Sequence, residues 1–250
     1  MKDKKIIVWV LLLVAFLGIM FSVCYFVLND KDDKKTEEKY SEDEKKFEQE
    51  YEEINGKVRE STGVINSTID VPTDNNIVYA TDNEIASLLE DGTALIYMGF
   101  RECPWCRNAV PVLIDTAKES GVDKIYYLDV TDIKSTIILD AKNKVKITKK
   151  GTDGYYKIME LLDDYLNDYY LTDSKGKKIA TGEKRIYSPT VVAVREGVVV
   201  GYHTGTVSGH VKDSDGVLPS MNEEQMMELV STYELMIAKM NGSICDESCE

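Results

Sequence analysis

The chain has 250 residues, with 44 acidic against 30 basic side chains and a formal net charge of −14. That balance excludes nucleic acid as a partner, since phosphate binding needs a basic stripe. The length suits one ordinary domain with extensions at its ends.

Met1–Lys5 is a short basic start. Ile6–Leu28 carries no charge and as a helix would measure about 34 Å, enough to cross a bilayer. It lacks the short apolar core and small-residue exit of a cleaved signal peptide, so it reads as a single-pass signal anchor. Cys24 is followed by four apolar residues and reads as part of the span. Lys2, Lys4 and Lys5 precede the run while Lys31, Lys34, Lys35 and Lys39 follow it, so the flanking charge does not fix orientation. The remaining cysteines, 103 with 106 and 245 with 249, stand in close pairs, which suits a compartment where disulfides persist. The expectation is a cell-membrane protein with residues 1–5 inside and the domain outside the cytoplasm.

Residues 29–75 read as a charged stalk and linker. Asp30–Glu60 is dense in Asp, Glu and Lys and poor in apolar side chains, a composition that buries no core of its own. Tyr40, Phe47, Tyr51 and Ile54 recur near helical spacing, so a lone or self-associating helix is the alternative to a solvated spacer. Asn55-Gly56 and the polar stretch to Asn75 mark the linker.

The domain is expected over residues 76–241. Ile77-Val78-Tyr79 reads as a short strand. Thr81 with Glu84 forms a capping box and opens a helix that stops at Gly92. Ala94-Leu95-Ile96-Tyr97-Met98 is a buried strand, Pro104 to about Glu119 a helix on Val110, Leu113, Ile114 and Ala117, and Lys124–Asp129 the next strand. Residues 132–186 exceed what one crossover requires and form an insertion. Its clearest signal is an amphipathic helix on Tyr155, Ile158, Met159, Leu162, Tyr165, Leu166 and Tyr169. That insertion, with a Lys-rich loop from Asp173 to Arg185, either caps the sheet or shapes a cleft. Thr190–Gly201 reads as a hairpin turning at Gly197. The last helix is expected to start at a second capping box, Ser220 with Glu223, and to pack Met226, Met227, Val230, Tyr233, Leu235 and Ile237 into the core. Residues 242–250 form a tail carrying Cys245 and Cys249, a candidate second redox pair.

Chemistry concentrates at Cys103-Pro104-Trp105-Cys106, between a buried strand and a helix. A cysteine at a helix N-terminus meets unpaired N–H groups and the positive end of the dipole, which lower its pKa below that of a free thiol. Pro104 then occupies the first helical position, where its missing N–H costs nothing. Arg101 and Arg107 would add to thiolate stability and Glu102 would oppose it. A zinc site would want four ligands, and His203 and His210 at seven-residue spacing, read as surface or loop residues, supply no ligand geometry. No metal and no other cofactor is expected.

The run Cys103-Pro-Trp-Cys106-Arg-Asn-Ala-Val-Pro111 resembles the active-site helix of the thioredoxin superfamily, kink-forming proline included. Ser188-Pro189-Thr190 through Gly201 resembles that superfamily's cis-proline strand and returning hairpin. Two motifs in the right order carry the resemblance over roughly 77–240. It implies an α/β thioredoxin-like fold, with a helical insertion before the cis-proline strand and one N-terminal transmembrane helix. It also implies Cys103 as nucleophile and Cys106 as resolving thiol, with Pro104, Trp105, Ser188 and Pro189 lining the substrate side.

There are two departures. Tyr97 stands where thioredoxins bury a proton-accepting aspartate, and Glu102 stands where they have Trp. The Pro-Trp spacer is closer to glutaredoxins and to the disulfide-forming oxidases of bacterial envelopes. Similar strand–Cys-x-x-Cys segments occur in thioredoxin-like proteins that accompany bacteriocin export. The implied activity is membrane-tethered thiol–disulfide exchange on protein dithiols and disulfides, with a membrane redox partner conceivable. The alternative is a redox-accessory or binding module of a secretion or maturation system whose disulfide is structural. Potentials in the superfamily span about −270 to −120 mV, so residue types leave the direction of electron flow open.

Overall fold

The computed structural model describes residues 42–244. The expected tail Met1–Lys5, the span Ile6–Leu28 and the pair Cys245 and Cys249 lie outside the described residues. Among the described residues, no helix is long and apolar enough to cross a membrane. From Asp43 onward the described chain belongs to one compact unit.

The first element is a helix, α1, over residues 42–52. β1 (Ile77–Tyr79), α2 (Asp82–Asp91), β2 (Ala94–Gly99), α3 (Pro104–Glu119) and β3 (Ile125–Asp129) follow. The insertion contributes β4 (Thr136–Leu139), β5 (Val145–Lys149), α4 (Asp153–Leu161), β6 (Asn167–Thr172) and β7 (Lys178–Arg185). β8 (Thr190–Arg195), β9 (Val198–Thr204) and α5 (Glu223–Met240) complete the domain.

This is an α/β architecture around a mixed five-stranded sheet in the order β1-β3-β2-β8-β9. β1, β3 and β2 run parallel, while β8 is antiparallel to β2 and β9 to β8. Side chains alternate along each strand, and both faces are covered, which is why the central strands read as unbroken apolar runs. Leu95, Tyr97, Val191 and Ala193 point to the side of α1, α3 and α5. Ala94, Ile96, Met98, Val192 and Val194 point to the side of α2 and α4. Glu196 and Gly197 both take positive φ, 51° and 74°, in the tight turn between β8 and β9. A Cβ at 197 would strike the Glu90 carbonyl, and the Gly197 amide donates to the Gly92 carbonyl at 2.9 Å.

Several expectations change. The stalk reading fails for residues 42–75, because Phe47 and Tyr51 are fully buried in the α3/α5 core and Ile54 nearly so. The residues from 56 onward are tied down as well. Val58 bridges to Ile65, Val71 is buried, and the fully buried Asn75 donates to the carbonyls of Glu44 at 3.0 Å and Pro72 at 2.8 Å. The domain therefore begins well before residue 76.

The insertion helix stops at Leu161. A short 3₁₀ turn, Asp163–Tyr165, follows, and Tyr169 lies in a strand. The Lys-rich segment is the hairpin β6–β7 rather than a loop. The apolar helical spacing continues past Leu161 into an exposed strand whose own alternation is weak. Tyr155, Ile158 and Leu162 pack on the α2 side of the sheet, so α4 caps the face opposite the cysteines.

Thr81 and Glu84 form the expected capping box on α2. On α5 the box is Asn222 with Gln225 instead of Ser220 with Glu223. The buried stripe of α5 is Leu229, Tyr233, Met236, Ile237 and Met240, while Met226, Met227 and Leu235 are exposed.

Candidate active site

Cys103 is the N-cap of α3. Its sulfur accepts the Cys106 amide at 3.3 Å, and Pro104 opens the helix where no donor is needed. Cys103 and Cys106 are unbonded thiols that come within 3.0 Å of each other. Cys106 is fully buried and Cys103 is 4% exposed. The Cys103 thiol donates to the Ser188 carbonyl at 3.3 Å, and the Ser188–Pro189 peptide bond is cis. The strand entry of β8 thus stands against the first cysteine across 85 residues of sequence.

The two thiols are pushed in opposite directions. Cys103 is held below the ordinary thiol range, first by a hydrogen bond from Cys106, then by the amides of Cys106 and Trp105 and the charge of Arg59, against desolvation. Cys106 is pushed well above that range by burial, then by its bond to Cys103 and that sulfur's charge, with a hydrogen bond from Tyr97 pulling the other way. Of the two sulfurs, Cys103 is the one whose surroundings favour thiolate, and Cys106 the one whose surroundings favour the neutral thiol.

The arginines differ from the expectation. Arg101 bonds Glu102 at 3.0 Å and Glu53 at 3.5 Å, which ties its charge to carboxylates. Arg107 is 1% exposed, and its guanidinium is taken up by partners other than the sulfurs. It donates to the carbonyls of Ser67 at 2.8 Å, Tyr51 at 2.8 Å and Arg101 at 3.2 Å, and to the Asn55 side chain. It is a clasp that holds residues 51–67 against α3. Arg59, which nothing in its sequence neighbourhood advertises, is the arginine whose charge reaches Cys103. Its Nη2 is fixed by Asn66 Oδ1 at 2.8 Å.

Beneath the pair lies a layer of phenols. The Tyr97 and Tyr51 hydroxyls are 2.8 Å apart, and both side chains are fully buried. Tyr97 stacks on Tyr127 with centroids 5.2 Å apart, and Tyr51 stacks on Phe47 at 4.3 Å. Gly99 makes room, since a Cβ there would overlap the Tyr97 hydroxyl. Tyr51 and Gly99 went unremarked as site residues in the sequence. The available signals were the Phe47/Tyr51 four-residue spacing and a glycine two positions after a buried phenol.

Trp105 is half-buried with Lys212 Nζ 5.1 Å from its ring centroid, Pro189 is buried and Ser188 half-buried. Lys134 of the insertion sits 5.0 Å from the Phe100 ring centroid and feels both sulfurs, so the insertion also borders the site. His203 Nε2 donates to the Thr206 carbonyl at 2.6 Å. His210, read from sequence as surface or loop, is a buried loop residue. It bridges Thr206 Oγ1 and the Pro219 carbonyl, both at 2.8 Å. Among the described residues, no group of three or more His, Cys, Asp or Glu could hold a metal ion.

Compared with known proteins, the chain matches no family model, no curated protein and no solved structure.

Proposed function

We propose that the chain is a thioredoxin-like thiol–disulfide oxidoreductase acting on protein dithiols and disulfides. The observation that carries this is the placement of the Cys103 sulfur, at the N-cap of α3 and against the Ser188 carbonyl that precedes Pro189. In the reducing direction the Cys103 thiolate attacks one sulfur of a client disulfide, whose other sulfur leaves as thiolate. Cys106 then attacks Cys103 Sγ and releases the client's second sulfur. The pair loses two electrons and the client gains them; oxidation of a client dithiol is the reverse. The edge formed by Trp105, Ser188 and Pro189 is where the client backbone would lie. The apolar run Ile6–Leu28 supports a single-pass tether, the close pairing of the other cysteines supports a domain outside the cytoplasm, and Cys245 and Cys249 remain candidates for a second pair.

The test uses the full chain and a peptide disulfide. Cys103→Ser is expected to abolish exchange, and Cys106→Ser to accumulate a mixed disulfide through Cys103. Exchange that persists in Cys103→Ser with Cys245 and Cys249 also replaced by Ser sinks the proposal.

A second reading, a binding module with a structural disulfide, draws on the burial of Cys103. It predicts that Cys103 in the reduced protein resists alkylation at neutral pH, whereas the exchange reading predicts rapid alkylation there.

A further inference from the structure

Closing the pair sets a problem at Cys106. This sulfur must carry negative charge to attack Cys103, yet it is fully buried and its thiol is pushed up by desolvation. Among the described residues, the strongest influences on it include no carboxylate; they do include a hydrogen bond from Tyr97, whose phenol burial keeps protonated and so unable to take the proton as a base. A neutral phenol is nonetheless a good hydrogen-bond donor.

The geometry is built for donation. The Tyr97 hydroxyl is 2.8 Å from that of Tyr51, so one O–H can point at the sulfur while the other points at the first phenol's oxygen. Donation in series strengthens each bond in a dry interior. Gly99 leaves the space that the Tyr97 hydroxyl occupies. Tyr51 is held by its own carbonyl, which accepts from Arg107 at 2.8 Å.

We propose that Tyr97, backed by Tyr51, donates the hydrogen bond that stabilises negative charge on Cys106 as this sulfur enters or leaves the disulfide, in place of a proton-accepting carboxylate. This rests on the exchange reading above. In the closing step the Cys106–Cys103 S–S bond forms as the Cys103–client S–S bond breaks. The client sulfur departs with the bonding pair and takes up the proton that Cys106 gives up, so neither tyrosine changes protonation. Tyr97 acts on a reacting atom through its hydrogen bond to Cys106; Tyr51 is a positioning residue.

The test separates the two sulfurs. In full-length protein carrying C24A, C245S and C249S, a symmetric nitrobenzoate disulfide releases one coloured thiolate when Cys103 attacks. It releases a second when Cys106 closes the pair. Tyr97→Phe is expected to slow the second release about tenfold, the scale of one lost hydrogen bond to a charged group, and to leave the first unchanged. The pH midpoint of the second release should rise by about one unit. Tyr51→Phe should give a smaller effect in the same direction.

The other titratable groups that feel the pair are Cys103 itself, Tyr233 from α5, Lys134 from the insertion and Arg59. They are common to every variant and do not mimic the shift. If Tyr97→Phe does not fold, Tyr51→Phe and a ring-fluorinated tyrosine at 97, a stronger donor of nearly the same shape, carry the test. The fluorinated form should speed the second release. An unchanged second release in these variants overturns the donor role while leaving the exchange reading intact. A first release that survives Cys103→Ser removes the exchange reading, and this proposal with it.

Discussion

Two stretches extend the domain beyond its central sheet and helices, and their helices, α1 and α4, cover opposite faces of the sheet. Residues 132–186 carry the stronger apolar signal, and their helix α4 covers the side of the sheet away from the cysteines. Residues 42–71 look like a charged spacer, yet they place Phe47 and Tyr51 in the layer under the cysteine pair and Arg59 within reach of Cys103. A dense stripe reports how much surface an element buries. It does not report which surface. Three or four well-spaced residues in a charged segment are enough when a preformed core offers them a hole, because each large apolar side chain contributes about 1.5–3 kcal/mol on burial.

The comparison can be broken by cutting equally into both stretches. Phe47→Ala is expected to cost about 3–5 kcal/mol in urea unfolding, and Ile158→Ala, on the opposite face, about 2–5 kcal/mol. Only the first should also change the alkylation rate of Cys103. Equal changes in that rate would mean the two faces are not separate in function.

A smaller effect is expected at Arg59→Gln. Because the folded Cys103 pKa is depressed, thiolate persists to lower pH than in the unfolded chain, and alkylation declines as pH falls through that depressed value. The same linkage stabilises the reduced fold above the unfolded thiol pKa, and this contribution is lost on acidification through the folded one. Removing the Arg59 charge should move the decline to higher pH and slow alkylation at pH 7 a few-fold; an unmoved profile would remove Arg59 from the site. The least effect is expected at Ile147→Thr, on an exposed position of β5, within about 0.5 kcal/mol in the same urea assay.

What could be read in the sequence follows from how local the signal is. The limits of α3, the cap at Thr81 and the turn at Gly197 are set by residues within a few positions of one another, and each lies where expected. At the start of α5 two box-like pairs stand side by side, and local spacing alone does not choose between them. Asn222 with Gln225 prevails over Ser220 with Glu223. At the site, the Cys103–Cys106 spacing and the Ser188-Pro189 dipeptide are visible as text. Arg59, Tyr51 and the partners of Arg107 are not, because each depends on contacts 40 or more residues apart in sequence. The hairpins β4–β5 and β6–β7 were hidden because their exposed strands alternate weakly.

Gly99 has a consequence for how this chain can change. A side chain at 99 would overlap the phenol at 97. Replace Tyr97 by a short residue and position 99 becomes free to vary; once anything larger than hydrogen settles there, the phenol cannot return. The order of substitutions then decides which are open. The two positions work as a ratchet, and a descendant that lost Tyr97 would be committed to some other way of charging its second sulfur.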